Sequence, residues 1–424
     1  MTRHTTSRRW LLGVTGSALL TAACSPSSGG SSSGAKSAPS PSPSSSTSAA
    51  VEGKAAAAGG KAAGGAPNGA LGVNFNEDPS ELDPAQLTAL TATWVRGFVP
   101  MTPAELGDDV TRQRAVAALL KAGQDGRSSI LSLKFPFRDL KQTIPQPGSA
   151  AMAEQLKRVD RVLAAVLGKV DILTIGNEPF LETKEDERDK RLNVFYEHVA
   201  RHVIDYRAKH GGADSRTRLY MGALNHLDDP KARTPATERW LRFVHRTPEL
   251  DGVDIHPHVT SLKAADSYVN YVLPHLRADQ KFLVTEFSLV QFWQLHMKDT
   301  VSPAFAKRYA DVDAAWKVWQ VVEDAIKSPF PQEKWDAFVA TTPWLDDNKT
   351  YLTDQMKRFR DTGKLAVATY AAVQIKSMAT GWGPDKMPWI LNPVYANRTV
   401  ARHADGTAGR NVWFDQFKAL TRVG

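Results

Sequence analysis

Cysteine is nearly absent. Cys24 is the only one in 424 residues, so there is no internal disulfide and no thiol nucleophile or thiolate metal ligand in the folded part. A fold without such staples has to be held by a large apolar core. No glycine-rich phosphate turn follows the first strand-like run, 71–76 "LGVNFN", which argues against a doubly wound dinucleotide fold. The net charge of +8 comes from Lys and Arg interleaved with Asp and Glu, with no basic stripe carrying alternating aromatics. Nucleic acid is therefore not an expected partner. The longest apolar stretch near the N-terminus, from Trp10 to Leu20, is too short for a membrane span.

That stretch belongs instead to an expected export signal over residues 1–24. Its basic start places Arg8 and Arg9 directly before the apolar run, as in twin-arginine signals. Thr21-Ala22-Ala23-Cys24 resembles the cleavage box of bacterial lipoproteins, in which the cysteine receives the lipid. Leu20 lies one place further from the cysteine than the usual pattern has it. Residues 25–69 are almost entirely Ser, Gly, Ala and Pro and cannot offset their chain entropy by burial, so a disordered tether is expected. The expected location is the outer face of a bacterial cell membrane, reached through a lipid on Cys24, with plain secretion as the alternative.

Residues 70–424 alternate short apolar runs with longer amphipathic ones. Strands are expected at 71–76, 93–98, 129–135, 170–176, 218–224, 252–256, 281–287 and, less distinctly, 365–370. Several are almost wholly apolar, as strands covered on both faces should be. Helical patterns fill 84–91, 103–122, 149–168, 188–209, 235–247 and 264–275, a long helical insertion occupies 303–361, and 411–421 reads as a closing helix. Eight strands alternating with helices predict a (β/α)8 barrel with an insertion between strands 7 and 8, expected to be monomeric. An open doubly wound sheet is the alternative.

In such a barrel the chemistry sits at the carboxyl ends of the strands. There the sequence places Arg96 on the second, Asn177-Glu178 on the fourth, His256-Pro257-His258 on the sixth and Glu286 on the seventh. Two carboxyl groups facing each other across a barrel mouth point to hydrolysis of a glycosidic bond. The fourth-strand "IGNEP" and seventh-strand "LVTEF" resemble the clan A glycoside hydrolases, retaining barrel enzymes, over about residue 71 to the end. The resemblance implies Glu178 as general acid/base, Glu286 as nucleophile and Arg96, from "TWVRGF", as the arginine that hydrogen-bonds the nucleophile. Asn177 would meet the sugar's 2-hydroxyl, and the substrate would be a β-linked poly- or oligosaccharide. His258 stands where clan members often carry a tyrosine. Trp382, with Trp389 as the alternative, would supply the aromatic floor of the sugar site.

A retaining pair needs one carboxyl protonated and one ionised. Repulsion from Glu286 is expected to raise Glu178 and keep it protonated, while Arg96 favours an ionised Glu286. The competing explanations are structural. Glu178 would cap the helix after its turn, Arg96 would form a rim salt bridge, and Trp293, just after Glu286, would either line the cleft or pack in the core. The acidic cluster Glu182, Glu185, Asp186 and Glu187 reads as a solvated loop and helix start. Two functional rivals remain: a non-catalytic carbohydrate-binding lipoprotein, and a metal-dependent hydrolase using Asp254, His256 and His258. No metal and no cofactor are expected, since no further histidine-rich ligand set accompanies those residues; the histidines are expected in the sugar site.

Overall fold

The computed structural model describes residues 67–76, 78–211 and 216–422, which belong to one compact unit. The expected export signal, Cys24 and the tether up to residue 66 lie outside the described residues. Among the described residues no helix is long and apolar enough to cross a membrane.

Eight parallel strands close into a barrel in sequence order: β1 Ala70–Asn74, β2 Trp94–Pro100, β3 Ser128–Lys134, β4 Ile172–Ile175, β5 Arg218–Leu224, β6 Gly252–Ile255, β7 Lys281–Val284 and β8 Leu365–Ala371, with β8 pairing back to β1. The (β/α)8 architecture is the expected one. The indistinct eighth strand is a full one of seven residues, buried throughout. The insertion is a chain of short helices, Pro303–Arg308, Val318–Lys327, Gln332–Thr341 and Pro343–Asp346, before the longer Tyr351–Asp361. Prolines at 303, 331 and 343 sit at or just before three of these helix starts, where a missing N–H costs nothing.

Strand alternation builds the lumen in layers. The lowest is apolar, made by Ile130, Ile172, Tyr220, Leu283, Ala366 and Val367 with Trp94 against them. Two residues further along, the inward positions turn polar: Arg96, Ser132, Thr174, Asp254, Thr285 and Thr369 are all fully buried. Two further again, Phe98 and Lys134 line an open cavity. The outward set, including Leu131, Leu173, Leu219 and Val253, joins the main core under the helices. Arg96 is thus neither at the end of its strand nor in a rim ion pair. It stands inside the lumen with polar neighbours above an apolar floor.

One glycine determines how β4 ends. Gly176 has φ +109°, and a Cβ there would lie 2.2 Å from the Gly222 carbonyl oxygen. Gly176→Ala is expected to cost about 3 kcal/mol through strain and overlap. The loss should appear as a lower midpoint in urea unfolding. Turnover should fall with it, because Asn177 and Glu178 follow directly.

Candidate active site

The turn after β4 holds Glu178 in the left-handed region, φ 48°, ψ 51°, a conformation uncommon for a non-glycine residue and typical of functional strain. Its backbone occupies the cap position of the short helix Pro179–Glu182, but its side chain makes no capping bond. The carboxylate is turned into the lumen instead. Glu178 Oε1 accepts from Asn225 Nδ2 at 2.7 Å and lies 3.0 Å from His256 Nδ1.

Glu286 reaches the same space from the turn after β7. Its Oε1 accepts from Arg96 Nη1 at 2.5 Å, and its Oε2 lies 3.8 Å from His258 Nε2. Arg96 also donates to Asn177 Oδ1 at 2.5 Å, Asn74 Oδ1 at 3.3 Å and Ser132 Oγ at 3.2 Å. A fully buried guanidinium is tolerable because this fork meets a carboxylate and neutral oxygens together. One carboxylate oxygen of Glu178 and one of Glu286 lie within 4.8 Å of each other, and about a fifth of each side chain is exposed. The cavity above them is about 300 Å³ and takes in Phe98, Lys134, Tyr268, Gln374 and Trp389. That is the lower end of the size range for small-ligand sites.

The two carboxyl groups differ in what surrounds them. Burial would raise Glu286, but the charges of His256 and Arg96, with the nearby His258 imidazole, outweigh it and hold the group well below the usual carboxylate range. Glu178 departs from the expectation. Burial pushes it up and Glu286 adds to that, yet the hydrogen bond and charge of His256 prevail and its affinity for a proton is lowered. The proton has an alternative seat. His256 is fully buried; burial would depress it, but Glu286, Glu178 and Asp254 raise it above its ordinary 6.5.

The hydrogen bonds explain how one proton serves both. Thr285 donates its hydroxyl to Asp254 Oδ2 at 2.5 Å and its N–H to Asp254 Oδ1 at 3.0 Å. The hydroxyl oxygen is then an acceptor for His256 Nε2–H at 2.8 Å. With Nε2 fixed as a donor, Nδ1 faces Glu178 with a single proton between them, on the nitrogen or on the carboxyl.

Asp254 therefore does not join His256 and His258 as a ligand set, because both its oxygens are engaged by Thr285. The donors that do converge are Glu178, His256, His258 and Glu286. A cation among them would meet the Arg96 guanidinium already paired to Glu286, and would have to break the His256–Glu178 bond.

Two further expectations are corrected by the side-chain placement. Trp382 is outside the cavity lining: its indole N–H donates to the Trp319 carbonyl, tying it to the helix Val318–Lys327. Trp389 lines the cavity, edge-on to His258 with ring centroids 4.8 Å apart. Trp293 is core, fully buried and stacked on Trp413. The acidic cluster is not uniformly solvated either, since Glu182 and Glu187 are buried while Glu185 and Asp186 are exposed. Asn225, directly after β5, is the site residue that strand-end reading could have found and did not.

Glu182 lies 3.2 Å from Lys134 Nζ, and burial pushes its carboxyl up to about 7 against the Lys134 charge. Between its ordinary 4.5 and 7 the folded state holds a proton that the unfolded chain releases. Stability should therefore fall as pH rises through that window, by on the order of 3 kcal/mol from this group. Urea unfolding at pH 5 and pH 7.5 should show this component in the wild type and lose it in Glu182→Gln.

No protein-family model matches the chain, and no curated protein sequence does. Solved structures of similar fold include a thermostable mutant of a xylanase from Cellvibrio japonicus, 12% identical over 83% of this chain and 97% of that one, TM-score 0.45. A family 39 glycoside hydrolase from Bacteroides cellulosilyticus WH2 is 10% identical over 84% of this chain and 64% of that one, TM-score 0.45. A glucosidase from Croceicoccus marinus is 12% identical over 85% of this chain and 68% of that one, TM-score 0.45.

Proposed function

We propose that this chain is a retaining glycoside hydrolase that cleaves β-linked poly- or oligosaccharide outside the cell. The observation that carries the reading is the approach of two carboxylates across the barrel mouth, one oxygen of each within 4.8 Å of the other. Despite burial, Glu286 is held ionised by the charges of His256 and the buried Arg96, and Glu178 shares a proton with the same histidine. Separations near 5 Å suit a double displacement, whereas inversion needs room for a water between the carboxyls.

In that mechanism Glu286 attacks the anomeric carbon as the glycosidic C–O bond breaks, and the leaving oxygen takes the proton held by Glu178 and His256. Glu178 then removes a proton from the incoming water, whose oxygen displaces Glu286. The amide oxygen of Asn177 is spent on Arg96, so a sugar 2-hydroxyl would meet its Nδ2 end as an acceptor. Trp389, among the aromatics that line the cavity, is available to the sugar face. A binding-only barrel has no use for a nucleophile kept ionised by an arginine buried at such cost, and this favours the catalytic reading over it. Export and anchoring through Cys24 belong to the same proposal and rest on the N-terminal sequence.

Hydrolysis of aryl β-glycosides and β-glycans, followed by proton NMR before mutarotation, tests the reading. The β-anomer should appear first; the α-anomer appearing first would establish inversion and remove Glu286 from the nucleophile's role.

A further inference from the structure

Arg96 orients more than the nucleophile. A guanidinium only donates, so Asn74 turns its Oδ1 towards Arg96 Nη1, at 3.3 Å, and its Nδ2 away. Asn74 Nδ2 donates to Asn76 Oδ1 at 3.1 Å. Asn76 Nδ2 in turn donates to the Val373 carbonyl at 2.7 Å and to Gln374 Oε1 at 3.4 Å. Gln374 ends this chain of amides on the cavity wall, 4% exposed, and among the described residues its Nε2 has no acceptor. Asn392 lines the same cavity, also 4% exposed, and among the described residues its side-chain amide has neither donor nor acceptor. We propose that Gln374 and Asn392 read hydroxyl groups of the sugar that Glu286 holds, so that the site takes a neutral glycosyl unit with free hydroxyls on the edge facing β8. This rests on the glycosidase reading above and narrows its substrate class.

Both residues are anchored through their backbones, which leaves the amides to the cavity. Asn397 clips Gln374 from both sides: its Oδ1 accepts from the Gln374 N–H at 3.0 Å and its Nδ2 donates to the Gln374 carbonyl at 2.9 Å. Arg398 Nε donates to the same carbonyl at 2.8 Å. Asn392 closes the turn Trp389–Leu391, its N–H donating to the Trp389 carbonyl at 3.0 Å. A buried amide without partners costs stability, and an apolar side chain in its place would not. Two of them in one cavity suit a ligand rich in hydroxyls, each able to donate and accept. Position assigns the part of the ligand they meet. β8 pairs with both β7 and β1, so the segments after β8 and β1 flank Glu286, to which the glycosyl unit is bonded after the first displacement. Glu178 stands across the barrel on the turn after β4, where the leaving group departs. The segment after β8 contributes only Gln374, Met378, Met387, Trp389 and Asn392 to the lining, so it offers no counter-charge to a carboxylate or sulfate on that edge.

The test compares the wild-type full chain with Gln374→Met and Asn392→Leu on 4-nitrophenyl β-D-glucoside, β-D-galactoside and β-D-xyloside, and on the 3-deoxy and 4-deoxy analogues of whichever is turned over. Each variant should lose about tenfold in kcat/KM on the parent sugar. In the wild type at least one deoxygenation should cost a similar factor, and the variant that reads that hydroxyl should show no further loss on the same analogue. Asn392→Leu should lose activity with no fall in its urea-unfolding midpoint, since it breaks no bond within the protein; a packing role would lower both. Strictly additive losses, an unchanged parent rate in either variant, or a midpoint that falls with activity in Asn392→Leu would each overturn the proposal. If Gln374→Met fails to fold, Asn392→Leu with the deoxy series decides alone. Retentive hydrolysis by the wild type alongside any of those results would leave the glycosidase reading standing. Turnover of none of the three glycosides would overturn this inference, and the β-glycans would then decide whether the glycosidase reading falls with it.

Discussion

On the proposed mechanism Glu286→Ala should lose turnover by at least about 10⁴-fold, because among the described residues no other group in the cavity is placed to form the glycosyl intermediate. The substitution also strands the buried Arg96 without its carboxylate, so a loss of about 3–5 kcal/mol in stability should accompany it. Sodium azide separates the two effects. A small anion entering the vacated space would attack the anomeric carbon and face Arg96 as well, so added azide should restore turnover and release a glycosyl azide of α configuration. Glu286→Gln keeps the shape and loses the charge, and should be inactive without the full stability loss. Glu178→Ala should behave differently. Substrates with good leaving groups need little protonation, so nitrophenyl glycosides should retain far more activity than unactivated glycans. Undiminished hydrolysis by Glu286→Ala in the absence of azide would end the assignment, whatever the behaviour of Glu178→Ala.

Much of this arrangement was legible because a barrel exposes the ends of its strands, and apolar runs mark where strands end. "VDILTIG" and "KFLVT" announced Asn177, Glu178 and Glu286 in that way, although β4 and β7 stop a residue or more earlier than the runs suggest. The polar lumen layer was harder to read. Arg96 lies within β2, flanked by apolar residues, and nothing in "TWVRGF" states that its partners are Ser132, Asn177 and Glu286, up to 190 positions away. The proton affinity of Glu178 was misjudged for the same reason. Counting carboxylates predicts repulsion, but the direction is set by a histidine 78 positions later whose ring is oriented by Thr285 and Asp254. The choice between Trp382 and Trp389 depends on the path of the long segment after β8, which carries little periodic signal. Glu182 looked like one member of a solvated acidic run because sequence shows its neighbours in the chain, not the lysine facing it from β3.

His256 therefore carries the second large prediction. If its ring stores the proton that the leaving group needs, as the proposed mechanism has it, His256→Ala and His256→Asn should both lose about 10²–10³-fold in kcat/KM on unactivated glycans. A purely structural role would produce a loss of activity too, so the pH profile is the deciding measurement. In the wild type the basic limb marks the release of the shared proton, which burial opposes but Glu286, Glu178 and Asp254 hold above the ordinary histidine value of 6.5. Without the imidazole that proton must sit on Glu178 alone, whose ordinary value is 4.5. Burial and the Glu286 charge raise it, so in His256→Ala the limb should fall below the wild-type position without reaching the ordinary carboxyl value. An asparagine that donates its amide N–H to Glu178 favours the ionised form, so His256→Asn should move the limb lower still. The linkage to stability runs in the same direction. A histidine whose folded value is raised stabilises fully below its unfolded value and loses that contribution as pH rises through the folded one, so the stability gap between wild type and His256→Ala should narrow towards alkaline pH. Three superimposable pH profiles would mean that the proton never resides on His256, and Glu178 would then have to be kept protonated by burial and Glu286 alone.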